Sequence, residues 1–124
     1  MRETWHPGAV LTRNLQFTWE PWGSVVVQAA PPNDALADYL TEELQPGSGA
    51  AERMLDLIGE FRSGRCGTWK VLGDSWSVEL TPARATLCTE FAIPGRTLHL
   101  ALEDFEEAVR AWLDFVAMCR ASAS

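Results

Sequence analysis

An alternating segment in the second half of the chain constrains the fold most. Apolar residues occupy every second position on either side of a Gly73-Asp74 pair: Trp69, Val71, Trp76, Val78 and Leu80. A period of two is typical of strands that bury one face, and a Gly-Asp pair favours a two-residue hairpin loop. The segment therefore predicts a β-hairpin with one apolar face directed at a core.

Two further stretches predict strands. Residues 15–19 alternate and residues 24–28 are rich in valine, so they predict a hairpin around Pro21-Trp22-Gly23. The valine run is expected to be buried on both faces. Residues 87–91 and 98–100 predict one or two more strands that continue the meander.

Three segments carry apolar residues at helical spacing, namely 34–45, a stretch between Gly49 and Ser63, and 102–120. The first two predict an αα-hairpin, with Asn33 as the N-cap of its first helix. The third has the strongest stripe: Phe105, Val109, Trp112, Val116 and Cys119. The predicted order is ββ-αα-βββ(β)-α. This is an α+β fold, an antiparallel sheet with the αα-hairpin and the C-terminal helix packed on it.

Composition bounds the class of protein. The chain has 124 residues, 47% of them hydrophobic and 22% charged, which predicts a single α+β domain over residues 1–124. The net charge of −7 argues against nucleic acid or an anionic membrane as a partner, because both are bound by Lys and Arg. No apolar run has the length of a signal peptide or a membrane span, and three cysteines are an odd number for a disulfide framework. We therefore expect a cytoplasmic protein.

The sequence contains no pattern of residues that is typical of a catalytic or metal site. A cysteine nucleophile needs a histidine base, and the two histidines are His6 near the start and His99 between two leucines. Cys66, Cys88 and Cys119 lack zinc-ligand spacing among themselves and with the histidines. The acidic residues include no pair that spacing singles out for acid–base work. We expect no catalytic residues, no cofactor and no bound metal.

Acidic residues are concentrated on the two central helices. Residues 34–60 contain seven acids and a single base. Acids suit helix N-termini, but Glu42, Glu43 and Glu60 lie near predicted helix ends, where the helix dipole disfavours them. Like charges spaced by four residues cost about 0.2–0.5 kcal/mol per pair. Two such stripes are present: Asp34, Asp38 and Glu42, and Glu52, Asp56 and Glu60. This pattern favours a basic protein partner that the acids attract, and a solvated helix face is the alternative.

The six tryptophans carry a second signal. Trp69, Trp76 and Trp112 occupy apolar positions of periodic patterns, so we expect them in the core. Trp22 lies in a predicted turn, where it either stands exposed as a binding anchor or folds back onto the sheet edge.

Three segments of the second half carry a family resemblance: Ser75-Trp76-Ser77-Val78-Glu79-Leu80, Leu98-His99-Leu100-Ala101-Leu102-Glu103-Asp104-Phe105 and Ala111-Trp112-Leu113-Asp114-Phe115-Val116. They resemble the YacL family of small bacterial cytosolic proteins. The resemblance implies strands, a helix pair, a strand meander and a final helix, and it carries over no catalytic residues. In its size, its acidity and its α+β fold class, the chain also resembles bacterial immunity proteins, including the CdiI type of contact-dependent inhibition systems. Those proteins bind and block one cognate toxin.

These observations predict a non-catalytic immunity protein that binds a cognate, basic, nuclease-type toxin domain one to one and occludes its active site. The expected partner-binding residues are Asp38, Glu42, Asp56 and Glu60, with Trp22 as an aromatic anchor. Two alternatives stay open. One is a housekeeping YacL-like protein that self-associates as a homodimer or binds a regulator, and the other is a small-molecule enzyme.

Overall fold

The computed structural model describes residues 3–5, 14–64, 67–89 and 95–123. The elements are β1 (Glu3–Trp5), β2 (Gln16–Trp19), β3 (Val25–Gln28), α1 (Asp34–Glu43), α2 (Ala50–Arg62), β4 (Trp69–Leu72), β5 (Trp76–Leu80), β6 (Arg84–Thr89), β7 (Thr97–Ala101) and α3 (Leu102–Ala123). The predicted α+β class and element order are confirmed, and β1 is an additional short strand. His6, Cys66 and the predicted strand residues 90–91 lie outside the described residues.

The strands form two antiparallel sheets. Sheet A has the order β1-β2-β3, and sheet B has the order β4-β5-β6-β7. In sheet A, Phe17 pairs with Val27 and both side chains are buried. Val26 is partly exposed, so the prediction that the valine strand is buried on both faces is wrong. β3 is the terminal strand of sheet A, and α1, the described helix that packs on it, leaves the Val26 side of the strand partly open to solvent.

The β4–β5 hairpin forms as predicted, but its turn is shifted by one residue. Leu72 pairs with Ser77, and the N–H of Gly73 donates to the carbonyl oxygen of Trp76 at 2.8 Å. The central turn residues are therefore Asp74 and Ser75, and the prediction of a Gly73-Asp74 loop is wrong. The cause lies outside the hairpin, in a contact that the Glu43 side chain of α1 makes with the turn.

One hydrophobic core joins the two sheets and the three helices. α1 packs on β3 and reaches β6 and β7, whereas α2 packs along α3. α3 also contacts both sheets, and its predicted apolar stripe is buried. The rings of Phe17 and Phe115 lie 5.5 Å apart, so β2 and α3 meet through a direct aromatic contact.

The tryptophans separate into two groups. Trp76 and Trp112 are each 1% exposed, as expected for core residues, but Trp69 is 45% exposed. The prediction that Trp69 faces the core is wrong. Trp69 begins β4, the edge strand of sheet B, and the nearest candidate to cover it, α2, packs on α3 instead. An exposed indole is thereby left beside a helix.

Candidate partner-binding groove

A groove of about 450 Å³ lies between α2 and the β4–β5 hairpin. Apolar side chains from three directions line it: Leu44, Met54, Leu57, Val71 and Val78. Trp69 and Leu72 also line it, and they are 45% and 69% exposed. Two large apolar side chains that stand exposed beside an apolar groove are typical of a surface that a partner covers.

Charged residues give the groove an acidic character. Asp56 and Glu60 line it from successive turns of α2, and both are exposed. Glu43 and Arg53 line it as well, and Arg53 donates a 3.3 Å hydrogen bond to the carbonyl oxygen of Ser48. Three acidic residues and one arginine therefore line the groove, which favours a cationic group on whatever binds there.

The Glu43 carboxylate closes one end of the groove. It accepts hydrogen bonds from three successive backbone N–H groups, those of Asp74 at 3.0 Å, Ser75 at 2.8 Å and Trp76 at 3.2 Å. A Cβ atom at position 73 would overlap this carboxylate, so Gly73 is required for the contact. These hydrogen bonds hold the β4–β5 turn against the C-terminal end of α1 and select its shifted register.

Tyr39 lies beneath this contact and lines the groove. Its side chain is 4% exposed, and its ring lies 6.4 Å from Trp76 and 5.7 Å from Phe105. Burial raises the pKa of Tyr39, and the nearby Glu43 carboxylate raises it further. The phenol is therefore a neutral group of the groove wall and supplies no proton chemistry near neutral pH.

A second charged cluster stands on the other side of Trp76. Arg96 donates to Asp38 at 2.6 Å and to Asp34 at 3.2 Å, and its guanidinium lies 5.5 Å from the centre of the Trp76 ring. The indole N–H of Trp76 donates to Glu42 at 2.9 Å. The hydrogen bond with Asp38 raises the pKa of Arg96. The acidic stripe of α1 is thus compensated within the chain.

The five predicted partner-binding residues occupy three places. Asp56 and Glu60 meet at the groove, whereas Asp38 and Glu42 belong to the Arg96 cluster. Trp22 is 75% exposed in the turn of sheet A and does not line the groove. Trp22 is therefore exposed, as the interpretation of this residue as a binding anchor requires. A contact between any of the five and a partner stays a prediction.

Sequence reasoning missed the two apolar side chains that mark the groove. Trp69 was expected in the core, and Leu72 was not singled out. A signal for Leu72 does exist, because it follows Val71 directly and so breaks the apolar–polar alternation of β4. An apolar residue on the polar face of a strand indicates either a covered face or a binding surface.

His99 does not line the groove. His99 is exposed between buried leucines, and its Nδ1 lies 2.9 Å from the Thr86 hydroxyl on the outer face of sheet B. Among the residues that the structure describes, no group of three or more His, Cys, Asp or Glu side chains is placed to hold a metal ion. None of the described helices combines the length and apolar composition needed to cross a membrane.

Replacing Arg96 by alanine is expected to lower the free energy of unfolding by about 1 kcal/mol. The effect is modest because the Arg96 side chain and both carboxylates are more than a third exposed, so water screens the ion pairs. Arg96→Lys should retain about half of the stabilisation, since an ammonium group cannot bridge two carboxylates as a guanidinium does. Urea unfolding of the three proteins tests this, and equal stability of all three would contradict it.

Comparison with known proteins finds distant relatives. The chain is 24% identical to a UPF0231 protein of Shewanella baltica over 109 residues, which cover 76% of this chain and 88% of that protein. It is 26% identical to a UPF0231 protein of Shewanella oneidensis with the same coverage, and 23% identical to one from Shewanella sp. strain ANA-3. The chain is therefore similar to small bacterial proteins whose names state no activity. No family model matches it, and no solved structure matches it.

Proposed function

We propose that the chain is a non-catalytic binding protein that docks a basic protein partner on the groove between α2 and β4. The observation that carries the proposal is the combination, in one groove, of exposed Trp69 and Leu72 with the carboxylates of Asp56 and Glu60. An apolar centre with charged groups around it is typical of specific interfaces, and aromatic residues dominate their binding energy. Excess carboxylate attracts a cationic partner and accelerates its association.

The partner we propose is a cognate toxin domain of the nuclease type, met in the cytoplasm and bound one to one. A nuclease needs a basic surface because its substrate is a polyanion. In the complex, Asp56 and Glu60 would occupy the positions that the phosphates of the nucleic-acid substrate occupy on the free toxin. Docking would thereby block the toxin's active site. The resemblance in size, acidity and class to immunity proteins of the CdiI type supports this proposal.

A calorimetric titration against the polypeptide encoded immediately upstream tests it. We expect one-to-one binding with a Kd near the nanomolar range, weakened at least about tenfold between about 50 and 300 mM salt. The salt dependence follows from the screening of the exposed acids. The absence of binding at both salt concentrations would overturn the immunity proposal for that neighbour.

A second candidate is a housekeeping YacL-like protein that self-associates or binds a regulator. The observation in its favour is that UPF0231 proteins from several Shewanella strains are similar to this chain over 88% of their length. Sedimentation velocity at rising concentration separates the two functions. A dimer that forms as the concentration rises, together with no detectable binding in the calorimetric titration, would favour the housekeeping function.

A further inference from the structure

We infer that the groove receives an arginine side chain of the partner, whose guanidinium donates a hydrogen bond to the Tyr39 hydroxyl in the buried part of the groove. This inference rests on the proposed function and names the chemical group by which the partner is recognised. It uses three features of the molecule: the depth of the groove, a buried hydroxyl that no described residue hydrogen-bonds, and the charge around that hydroxyl.

The groove lies over the inner face of the β4–β5 hairpin, between that face and α2. Its floor consists of buried apolar side chains, among them Met54, Trp76 and Val78. Leu72 and Asp56 are exposed, so they belong to its mouth. The groove volume of about 450 Å³ falls within the range of about 300–1000 Å³ that is typical of small-ligand sites. A long side chain can therefore enter the groove with apolar walls around its stem.

Tyr39 contributes a polar group to the buried part of the groove. Its side chain is 4% exposed, and its hydroxyl makes no hydrogen bond with any residue that the structure describes. The hydroxyl oxygen is also not among the described polar atoms that are cut off from solvent without a partner, so it opens onto the groove that Tyr39 lines. A buried hydroxyl that lacks a hydrogen bond is unfavourable in the free protein. A ligand that supplies the hydrogen bond recovers that free energy.

The charge around this hydroxyl favours a cation. Burial raises the pKa of Tyr39 and the Glu43 carboxylate raises it further, so the phenol stays neutral and its oxygen accepts a hydrogen bond. The negative potential that opposes a phenolate stabilises a cation in the same place. A carboxylate has about four acceptor sites, and that of Glu43 accepts three backbone N–H groups, which leaves capacity for a further donor. Asp56, which forms no ion pair with a described residue, adds a negative charge at the mouth.

Arginine suits these groups better than lysine. Its planar guanidinium carries several N–H donors, so it can donate to the Tyr39 oxygen and to the Glu43 carboxylate together. A guanidinium is also more weakly hydrated than an ammonium group, so moving it from water into the groove costs less. Arg53 of this chain lines the groove, but it donates to the carbonyl oxygen of Ser48 and makes no hydrogen bond or ion pair with Tyr39 or Glu43. The arginine that reaches the hydroxyl is therefore the partner's.

Tyr39→Phe tests the inference, because it removes the hydroxyl and keeps the ring. Since the hydroxyl has no hydrogen-bond partner among the described residues, urea unfolding should show the variant to be at least as stable as the unaltered protein. The probe is acetyl-arginine-methylamide, followed by NMR chemical shifts of the backbone amides around the groove. We expect Tyr39→Phe to bind the probe at least about fivefold more weakly than the unaltered protein. Equal affinity of the two proteins would overturn the inference.

Two analogues of the probe test the chemistry of the anchor. Acetyl-citrulline-methylamide keeps the shape of the arginine side chain without its charge, and acetyl-lysine-methylamide carries the charge on an ammonium group. We expect the arginine compound to bind with a Kd of about 1–10 mM and both analogues to bind at least about fivefold more weakly. Tyr39→Phe should reduce the preference for arginine over citrulline, whereas a general disturbance of the fold would weaken both compounds alike. Equal affinity for arginine and citrulline overturns the cation, and equal affinity for arginine and lysine overturns the guanidinium.

The outcomes separate the inference from the function on which it rests. A probe that shifts no groove amide of the unaltered protein overturns the arginine anchor, whereas docking of the upstream-encoded polypeptide is decided by its own titration. If that polypeptide binds, Tyr39→Phe should raise its Kd at least about fivefold, and an unchanged Kd overturns the anchor while the docking function stands. If the probe binds and the polypeptide does not, the arginine site stands and the proposed function fails for that neighbour.

Discussion

Replacing Glu43 by alanine is expected to lower the free energy of unfolding by about 2–4 kcal/mol. The carboxylate accepts three backbone hydrogen bonds from Asp74, Ser75 and Trp76, and hydrogen bonds to a charged acceptor are stronger than neutral ones. Without it the three N–H groups lose their acceptor, and the β4–β5 turn loses its backbone hydrogen bonds to α1. Urea unfolding followed by circular dichroism measures the loss.

A matched control and a second variant sharpen this test. Glu52 is an exposed acid on α2 that makes no contact with the turn, so Glu52→Ala should change stability by less than about 0.5 kcal/mol. Gly73→Ala should be destabilising because its Cβ displaces the Glu43 carboxylate. The double variant Glu43→Ala/Gly73→Ala should then be much less destabilised than the sum of the two single variants. Additive losses would show that the two residues do not act on one contact.

The Glu43 contact also shows where local sequence patterns lose their predictive power. The spacing of apolar residues is a local property: a period of two predicted the strands of the hairpin, and helical spacing predicted the buried stripe of α3. The turn register depends on a carboxylate that is 31 residues away from Asp74 along the chain. No pattern within the hairpin contains that information, and the local preference of Gly-Asp indicated a different turn.

The acidic residues of α1 show the same limit of local patterns. Glu42 and Glu43 were identified as unfavourable at a helix C-terminus, and each has a compensating group in the folded chain. Asp38 finds Arg96, which is 58 residues further along. Helical spacing shows which charges lie together on one helix, but not which distant element neutralises them. Asp38 meets a cation, whereas Glu42 and Glu43 accept hydrogen bonds from neutral donors, the indole N–H of Trp76 and backbone N–H groups of the β4–β5 turn. A basic protein partner for these acids stays a prediction.

Trp69 illustrates the converse error. Its place in an alternating strand predicted burial, because a period of two identifies one face of a sheet. Burial of that face also depends on which strand stands at the edge and on where the neighbouring helix packs. Both are properties of the tertiary structure, so local alternation identified the apolar face and could not identify the part of it that α2 leaves uncovered.

Reversing the charges of Asp56 and Glu60 together to lysine is expected to weaken binding of the basic partner at least about 100-fold. The double variant changes the local charge by four units at the groove. Association should slow and its salt dependence should flatten, because steering by exposed charges is screened by salt. Asp38 and Glu42 are left unchanged, since replacing them would disturb Arg96 and Trp76 and confuse binding with stability.

The matched control is Glu52→Lys with Asp114→Lys, which makes the same change of net charge at two exposed positions outside the groove. Stopped-flow association and calorimetry with the upstream-encoded polypeptide compare the two double variants. The control should lose less than about tenfold, because only the long-range field differs. Equal losses would mean that net charge alone drives association and would remove the groove from the interface. A loss confined to the Asp56 and Glu60 variant requires the partner's cations to lie against α2, next to Trp69.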